Sequence, residues 1–205
     1  MRKTGKIESM SIKIQILPEQ DLPAFKRDMQ ESFQKGAEAE YGSISEEILP
    51  ESHIDASLSK PGSVAYAAIE NGCMVGGAIV QIDEKTRHNH LDFLYVKHGV
   101  QSKGVGQAIW AEIERLHPDT EVWETGTPYF EKRNIHFYVN KCGFKIVEFF
   151  NESHREEHDL TEEFKDINSS GFFRFEKNIG SQSTENDFCQ IHSGKCGKNS
   201  GNILQ

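Results

Sequence analysis

The stretch that decides the fold is VKHGVQSKGVGQAIWAEIER, which runs from Val96 to Arg115. An apolar run, Leu91 to Val96, leads into the loop QSKGVG at residues 101–106, and apolar residues then recur at helical spacing up to Pro118. Glycines in such a loop let backbone N–H groups point outward, and a helix start adds about half a positive charge. The stretch therefore predicts a strand, a turn that can hold a pyrophosphate, and a helix.

Two other phosphate-binding motifs fit this loop badly. A P-loop requires GxxxxGK followed by Ser or Thr, which the loop lacks. A dinucleotide-binding fingerprint requires GxGxxG inside a parallel βαβ unit, but the glycines here are spaced differently and the neighbouring strands are predicted to be mainly antiparallel. Lys103 adds a positive charge that either contacts a phosphate or faces solvent. A glycine turn that binds nothing is the remaining alternative.

Periodicity along the rest of the chain predicts the order β-α-α-β-β-β-α-β-α-β-β. Asn71 and Gly72 join two strands in a hairpin. In the segment 43–60, a capping-box pattern at Ser43 or Ser45 opens a helical piece that Pro50 breaks. The predicted strands are 11–17, 64–70, 74–82, 90–96, 121–125, 144–150 and 171–179, and the predicted helices outside the segment 43–60 are 22–35, 105–116 and 134–142.

Composition is typical of one soluble globular domain, since the 205 residues are 36% hydrophobic and 27% charged. The formal net charge of −9 disfavours nucleic-acid binding. No apolar run reaches the roughly 20 residues of a membrane helix, and the N-terminus lacks the apolar region of a signal peptide, so a cytoplasmic protein without membrane contact is predicted. The cysteines, expected to be reduced thiols, are Cys73, Cys142, Cys189 and Cys196.

The chain divides into three predicted parts. Residues 1–10 are an N-terminal extension, and residues 11–179 form the folded domain. Residues 180–205 are rich in Ser, Asn, Gly and Gln with few apolar anchors, so a flexible tail is expected there.

The run LDFLYVKHGVQSKGVGQAIWAEIE resembles motif A of the GNAT superfamily of N-acetyltransferases, in which a bulged strand precedes a QxxGxG loop that holds the pyrophosphate of acetyl-CoA. A second block, KRNIHFYVNKCGFKIVEF, is similar to motif B of that family, a helix and a strand joined at Gly143 and Phe144. The resemblance covers roughly residues 11–178. It implies an α+β fold with a central, mostly antiparallel, splayed sheet of six to seven strands flanked by about four helices.

The resemblance also implies acetyl-CoA as the co-substrate and no metal. In the family the pantetheine arm pairs with the splayed strand before the loop like an added strand. Carried over residue by residue, the arm is lined by Leu94, Tyr95 and Val96, the diphosphate is held by Gln101, Ser102, Lys103, Gly104, Val105, Gly106 and Gln107, and the pantetheine is hydrogen-bonded by Asn134.

The implied reaction is direct attack of a neutral amine on the thioester carbon, with a proton removed from the amine and one given to the departing thiolate. Tyr138 is the candidate acid. The family usually spaces this tyrosine four residues before the glycine, whereas Tyr138 precedes Gly143 by five and Val139 holds the usual place. One residue turns a helix by about 100°, so the Tyr138 hydroxyl reaches the sulfur only if the helix end is irregular. Otherwise Tyr138 is a packed aromatic.

His90 and Asp92 are the candidate bases, because residues two apart on a strand share one face. Either side chain can take the proton of the amine, directly or through water. Histidine titrates near neutrality, which favours His90. A polar pair at the beginning of a strand is the alternative. Glu124 on the next strand is a weaker candidate, for binding a cationic acceptor.

Metal binding is not predicted. Cys189, His192 and Cys196 form CxxHxxxC, which offers only three ligands where structural zinc takes four. The cluster HREEHD at residues 154–159 is interpreted as a solvated loop.

The leading hypothesis is an N-acetyltransferase that uses acetyl-CoA and acts on a small-molecule or protein amine. The first alternative is a catalytically impaired acyl-CoA-binding module that serves as a sensor or interaction domain, and the second is a purely structural domain. By the resemblance, the acceptor is contacted by residues 22–60 and 151–170, and the resemblance to small-molecule acetyltransferases allows a homodimer.

Overall fold

The computed structural model describes residues 12–100, 104–154 and 171–180. Within these ranges the chain forms seven strands and four helices in the predicted order. The strands are β1 (Lys13–Ile16), β2 (Ser63–Glu70), β3 (Cys73–Gln81), β4 (His88–Val96), β5 (Val122–Pro128), β6 (Lys145–Phe150) and β7 (Phe172–Asn178). The helices are α1 (Leu22–Tyr41), α2 (Glu51–Leu58), α3 (Val105–Leu116) and α4 (Lys132–Phe137), and α4 continues as a π-helical turn, Tyr138–Cys142.

The strands form one sheet in the order β1-β2-β3-β4-β5-β7-β6. Every neighbouring pair is antiparallel except β4 and β5, which are parallel. The parallel ladder is short and pairs only His88–His90 with residues 122–124. Beyond it the two strands separate, so the sheet is splayed at its centre. The predicted α+β fold with a mostly antiparallel, splayed sheet is confirmed.

Strand β4 also carries the bulge that the resemblance implies. Ile79 of β3 pairs with Phe93, and Val80 pairs with Leu91, so Asp92 is an extra residue without a partner in the ladder. A bulge bends its strand and re-aims the side chains around it. The bulge therefore lies beside the point where β4 and β5 part.

Both faces of the sheet are covered by helices. Phe25 and Met29 of α1 pack on one face with Ile79 of β3. On the other face, α3 and α4 pack against alternate residues of β3, including Ala78 and Val80. Burial on both faces explains why β3 reads as an almost continuous apolar run. Ile109, Trp110 and Ile113 of α3 are buried in this second cluster, as their spacing predicts.

The hairpin between β2 and β3 turns at Asn71 and Gly72, which both have positive φ angles of 50° and 79°. Two consecutive residues with positive φ are the requirement of the turn that joins tightly twisted strands. The predicted hairpin is confirmed.

The capping-box prediction at Ser43 and Ser45 is wrong. No helix begins there, and α2 begins only at Glu51, after Pro50. Residues 42–50 form an irregular loop whose backbone is bound by the side-chain amide of Gln34, which donates to the carbonyl of Ile44 at 3.3 Å and accepts from the amide of Ile48 at 3.1 Å. These tertiary hydrogen bonds replace those that a helix would supply.

Three predicted elements differ from the structure in their length or in their type of helix. Helix α1 continues past residue 35 to Tyr41, because Ala37 extends its buried stripe and Gly36 does not interrupt it. Strand β5 continues to Pro128, and the predicted helix 134–142 is α4 followed by the π-helical turn. The N-terminal extension, most of the loop 151–170 and the predicted tail from residue 181 lie outside the described residues.

His117 ends helix α3 in a half-buried position that makes it a source of acid sensitivity. Its Nε2 lies 2.9 Å from the Tyr66 hydroxyl, and its ring packs edge-on against Trp123. Burial lowers the pKa of His117. Because the unfolded chain then binds the proton more tightly, this contribution to stability is complete above the ordinary histidine pKa and is lost as the pH falls through the folded-state pKa.

We expect His117→Gln to reduce the loss of unfolding free energy between about pH 7.5 and about pH 5, where histidines titrate. Urea denaturation at the two pH values measures it. His98→Gln, which changes an exposed histidine, is the control and should keep the wild-type pH dependence. Equal acid sensitivity in the wild type and in His117→Gln would contradict this assignment.

Candidate active site

A cleft opens at the centre of the sheet, where β4 and β5 separate. Its volume is about 1220 Å³. Its walls come from α1, the loop 42–50, α2, both parting strands, the first turn of α3, and α4. A cleft of this size suits a ligand larger than a single amino acid.

The described residues that the sequence assigned to acetyl-CoA all line this cleft. They are Leu94, Tyr95, Val96, Gly104, Val105, Gly106, Gln107 and Asn134. The side-chain amide of Asn134 lies 3.4 Å from the hydroxyl of Thr127 on β5. Gln101, Ser102 and Lys103 lie outside the described residues.

The first turn of α3 fits an anionic ligand. Gly104 stands at the N-cap with φ of 83°, a left-handed conformation that glycine adopts without strain, and no side chain of the described residues caps the helix. A methyl group at Gly104 would meet no atom of the described residues within 4 Å. At Gly106 such a group would lie 3.2 Å from the ring of Phe137. The uncapped amides and the positive end of the helix dipole therefore face a cleft with room for a diphosphate.

On the other side of the parting strands, Asp92 is held by four donors. Its Oδ1 lies 2.6 Å from Nδ1 of His90, and its Oδ2 accepts from Ser57 at 2.5 Å, from Gln81 at 3.0 Å and from Lys60 at 3.1 Å. The Asp92 side chain is only 5% exposed. Burial alone would raise the pKa of Asp92, but the hydrogen bond and charge of His90, with Ser57 and Lys60, hold it well below its usual range.

His90 is more accessible than its partner, with 38% of its side chain exposed to the cleft. When Nδ1–H donates to Asp92, Nε2 carries the free lone pair of the neutral ring. Nε2 lies 3.9 Å from a carboxylate oxygen of Glu124. The two candidate bases thus share one face, as their spacing predicts, and the geometry favours His90 over the saturated Asp92 as proton acceptor.

Glu124 lines the cleft beside His90 but is already paired. Arg174 on β7 lies 3.2 Å from Glu124, 2.8 Å from Glu148 and 3.5 Å from Glu176. His88, Glu124 and Glu176 also bring ligand atoms within 4.8 Å of one another. The guanidinium of Arg174 contacts two of these three residues and offsets part of their negative charge.

Tyr138 lies at the junction of the parting strands. Its ring is 8% exposed, packs against Phe144 and Phe175, and still lines the cleft. Burial raises the pKa of Tyr138 to about 12, although a hydrogen bond with Thr125 opposes the rise. Thr125 in turn donates to the Leu91 carbonyl at 2.9 Å and so bridges β4 and β5 just beyond their ladder.

The π-helical turn explains the unusual spacing of Tyr138. A π-helical turn accommodates one more residue than an α-helical turn. The turn begins at Tyr138 and ends before Gly143, whose φ is 81°. The helix end is therefore irregular, which is the condition under which the extra residue leaves Tyr138 beside the cleft.

The far end of the cleft is acidic and aromatic. Glu40 and Glu131 both line it, and the pKa of Glu131 is raised by burial and by the charge of Glu40. Tyr41 lies between them, with its hydroxyl 2.9 Å from the Phe130 carbonyl and its ring edge-on to that of Phe130. This end favours a positively charged ligand over an anion.

Several residues of the site were missed by sequence reasoning. Ser57, Lys60 and Gln81 bind Asp92 from α2, the turn after it and β3. Thr125 joins β5 to β4, and Arg174 pairs with Glu124 from β7. None of them belongs to a motif, and each reaches the site through contacts between distant parts of the chain. Their residue types alone carried no functional pattern.

A splayed sheet with an uncapped, glycine-flanked helix start at its gap defines the architecture of an acyl-CoA-dependent acetyltransferase. Comparison with known proteins agrees. The acetyltransferase (GNAT) family model matches residues 23–144. The chain belongs to this family, and its co-substrate is acetyl-CoA. Among the described residues, no helix is long and apolar enough to cross a membrane.

The similar proteins include one relative by sequence and several by structure. The uncharacterized protein YrkN of Bacillus subtilis (strain 168) is 43% identical over 169 residues, which are 80% of this chain and 91% of that protein. The ribosomal-protein-S18-alanine N-acetyltransferase of Escherichia coli is 14% identical, with a TM-score of 0.59 over 85% of this chain and 98% of that one. The PaiA N-acetyltransferase of Thermoplasma acidophilum, in complex with coenzyme A, is 21% identical, with a TM-score of 0.58 over 82% of this chain and 99% of that one. At these identities the structural likeness shows the fold.

Proposed function

We propose that this protein is an N-acetyltransferase that moves the acetyl group of acetyl-CoA to the amine of a small molecule or a protein. The observation that carries the proposal is the pairing, in one cleft, of the glycine-flanked start of α3 with a His90–Asp92 dyad whose carboxylate is buried. Acetyl-CoA supplies the acetyl group as an activated thioester. Binding and proton transfer are the tasks of the chain itself.

Binding is assigned to the side of the cleft that carries α3. The amides from Gly104 to Gln107 hold the diphosphate, and the exposed edge of β4 around Leu94 and Val96 lines the pantetheine arm. This arrangement leaves the thioester near the junction of β4 and β5. Backbone donors there polarise the carbonyl oxygen as it gains charge.

Proton transfer is assigned to two side chains. Nε2 of His90 takes the proton of the acceptor ammonium, while Asp92 fixes the ring tautomer and orientation. Glu124, 3.9 Å from Nε2, attracts the ammonium to that position. The neutral nitrogen then bonds to the acyl carbon, the C–S bond breaks, and Tyr138 donates its phenolic proton to the thiolate. The nitrogen loses its second proton as the amide forms, and this proton returns to the Tyr138 phenolate.

The acceptor is proposed to be cationic. Glu40 and Glu131 line the far end of the cleft, where burial, with the charge of Glu40, raises the pKa of Glu131 and Arg133 opposes the rise. A second positive group on the acceptor would offset the negative charges of these two carboxylates.

The proposed function is tested by measuring free thiol released from acetyl-CoA by the purified full-length chain with a panel of monoamines, polyamines, aminoglycosides, amino acids and peptides. We expect amine-dependent release, greatest for acceptors with more than one positive charge. Tight coenzyme A binding without amine-dependent release across the panel would instead support an acyl-CoA-binding module. Absence of binding would contradict both.

Tyr138→Phe tests the proton donor. We expect kcat to fall roughly tenfold, less than for many general acids, because a thiolate leaves without complete protonation. The ring packing is kept, so the melting temperature should change little. Tyr129→Phe, at an exposed tyrosine outside the cleft lining, is the matched control. An unchanged kcat in Tyr138→Phe would make Tyr138 a packed aromatic.

A further inference from the structure

Helix α2 forms part of the acceptor side of the cleft. His53, Ala56, Ser57 and Lys60, on and just after this helix, all line the cleft. The outer face of the helix is held to α1 by Lys26, which lies 2.9 Å from Glu51. An acceptor bound in this part of the cleft would contact α2.

The last turn of the same helix reaches the buried carboxylate of Asp92. Ser57 is only 3% exposed, and its hydroxyl lies 2.5 Å from Oδ2 of Asp92. The side-chain amide of Gln81 donates both to this Oδ2 and to the backbone carbonyl of Ser57, each at 3.0 Å. Two bonds from α2 and β3 thus meet at one oxygen and fix the plane of the carboxylate.

The orientation of the carboxylate decides what His90 can do. With Oδ2 held by Ser57 and Gln81, Oδ1 faces Nδ1 of His90 at 2.6 Å. Loss of the Ser57 bond leaves Oδ2 only the bonds from Gln81 and from the more exposed Lys60, so the carboxylate is less firmly oriented and Nδ1–H can lose its acceptor. The ring can adopt the other tautomer or turn away, so Nε2 no longer presents a lone pair to the cleft.

We propose that Ser57 is a positioning residue that couples helix α2, on the acceptor side of the cleft, to the proton-accepting His90 through Asp92. The kinetic consequence of this inference rests on the proposed function, whereas the hydrogen-bond coupling from Ser57 through Asp92 to His90 does not. With α2 seated on the sheet the base is complete, and displacement of α2 disarms it.

The structural part is tested by proton NMR of the full-length chain without substrate. A histidine Nδ1–H bound to a buried carboxylate exchanges slowly and resonates far downfield, and His90→Gln assigns the signal. We expect the signal to disappear or move in Ser57→Ala and to persist in Ser57→Thr, which keeps the hydroxyl. Ser59→Ala is the matched control, because the Ser59 hydroxyl binds the Asp55 carbonyl instead.

The kinetic part uses the best amine of the panel. We expect Ser57→Ala to lower kcat at least about tenfold, as a misplaced catalytic group does, with the KM for acetyl-CoA unchanged. Ser57→Thr should restore most of kcat, and Ser59→Ala should match the wild type. If Ser57→Ala does not fold, Ser57→Cys keeps the volume with a weaker donor and should give intermediate values.

The outcomes separate this inference from the proposed function. A signal that moves in Ser57→Ala, in a chain that acetylates no amine, supports the coupling and contradicts the function. An unmoved signal together with wild-type kcat in Ser57→Ala overturns the coupling and leaves the function standing. Loss of activity with an unmoved signal also overturns it, because Ser57 would then act by another route.

Discussion

Replacing Gly106 with aspartate is expected to raise the dissociation constant for coenzyme A at least about a hundredfold, the equivalent of roughly 2.7 kcal/mol. Gly106 lies in the first turn of α3 and lines the cleft, and no described side chain caps this helix start. A carboxylate at this position competes for the free amides and repels the diphosphate. Each charge-assisted hydrogen bond that is lost contributes roughly 1.5–3 kcal/mol.

Isothermal titration calorimetry measures the effect, and Ala108→Asp is the matched control. Ala108 lies in the same turn, half-buried and outside the cleft lining, so the same new charge there should change the affinity less than about threefold, because it does not face the ligand. If Gly106→Asp binds coenzyme A as tightly as Ala108→Asp does, the diphosphate does not bind at this helix start.

His90→Gln is expected to lower kcat by roughly 10²- to 10⁴-fold, the usual contribution of a positioned base. The affinity for coenzyme A should not change, because His90 lies across the cleft from α3. The deficit should shrink as the pH is raised toward the pKa of the acceptor amine, since an amine that is already neutral needs no base.

Steady-state rates against pH with the best acceptor test this prediction. His98→Gln, at an exposed histidine outside the cleft lining, is the matched control and should retain the wild-type kcat. A His90→Gln variant with wild-type kcat at neutral pH would remove the histidine from the mechanism and return the role of base to a water molecule or to another carboxylate.

The order of helices and strands was predictable because local sequence patterns determine most of these elements. Asn71 and Gly72 specify their hairpin by their own backbone preferences. The irregular loop 42–50 was not predictable, since Gln34 binds its backbone from helix α1. A serine before acidic residues gave a helix-start pattern there, and tertiary hydrogen bonds prevailed over it.

The residues of the site likewise fall into a group that a local motif predicts and a group that only tertiary packing brings together. The residues from Gly104 to Gln107 are contiguous, so one motif predicted them as a group, and they line one cleft. Whether they bind acetyl-CoA stays a prediction. The partners of Asp92 could not be found from sequence, because Ser57 lies 35 residues away and approaches only when α2 packs on the sheet. Spacing predicted that His90 and Asp92 share a face, but not which of the two is saturated.

The π-helical turn that starts at Tyr138 also tells how this chain differs in length from a relative with a regular α-helical turn. The surplus residue is absorbed between Tyr138 and Gly143, so an alignment should place a one-residue gap there rather than shift the tyrosine. Deleting one residue of this turn would convert it to an ordinary helical turn and leave everything N-terminal to it in place. The position of the Tyr138 phenol therefore does not depend on the length of the segment that follows it.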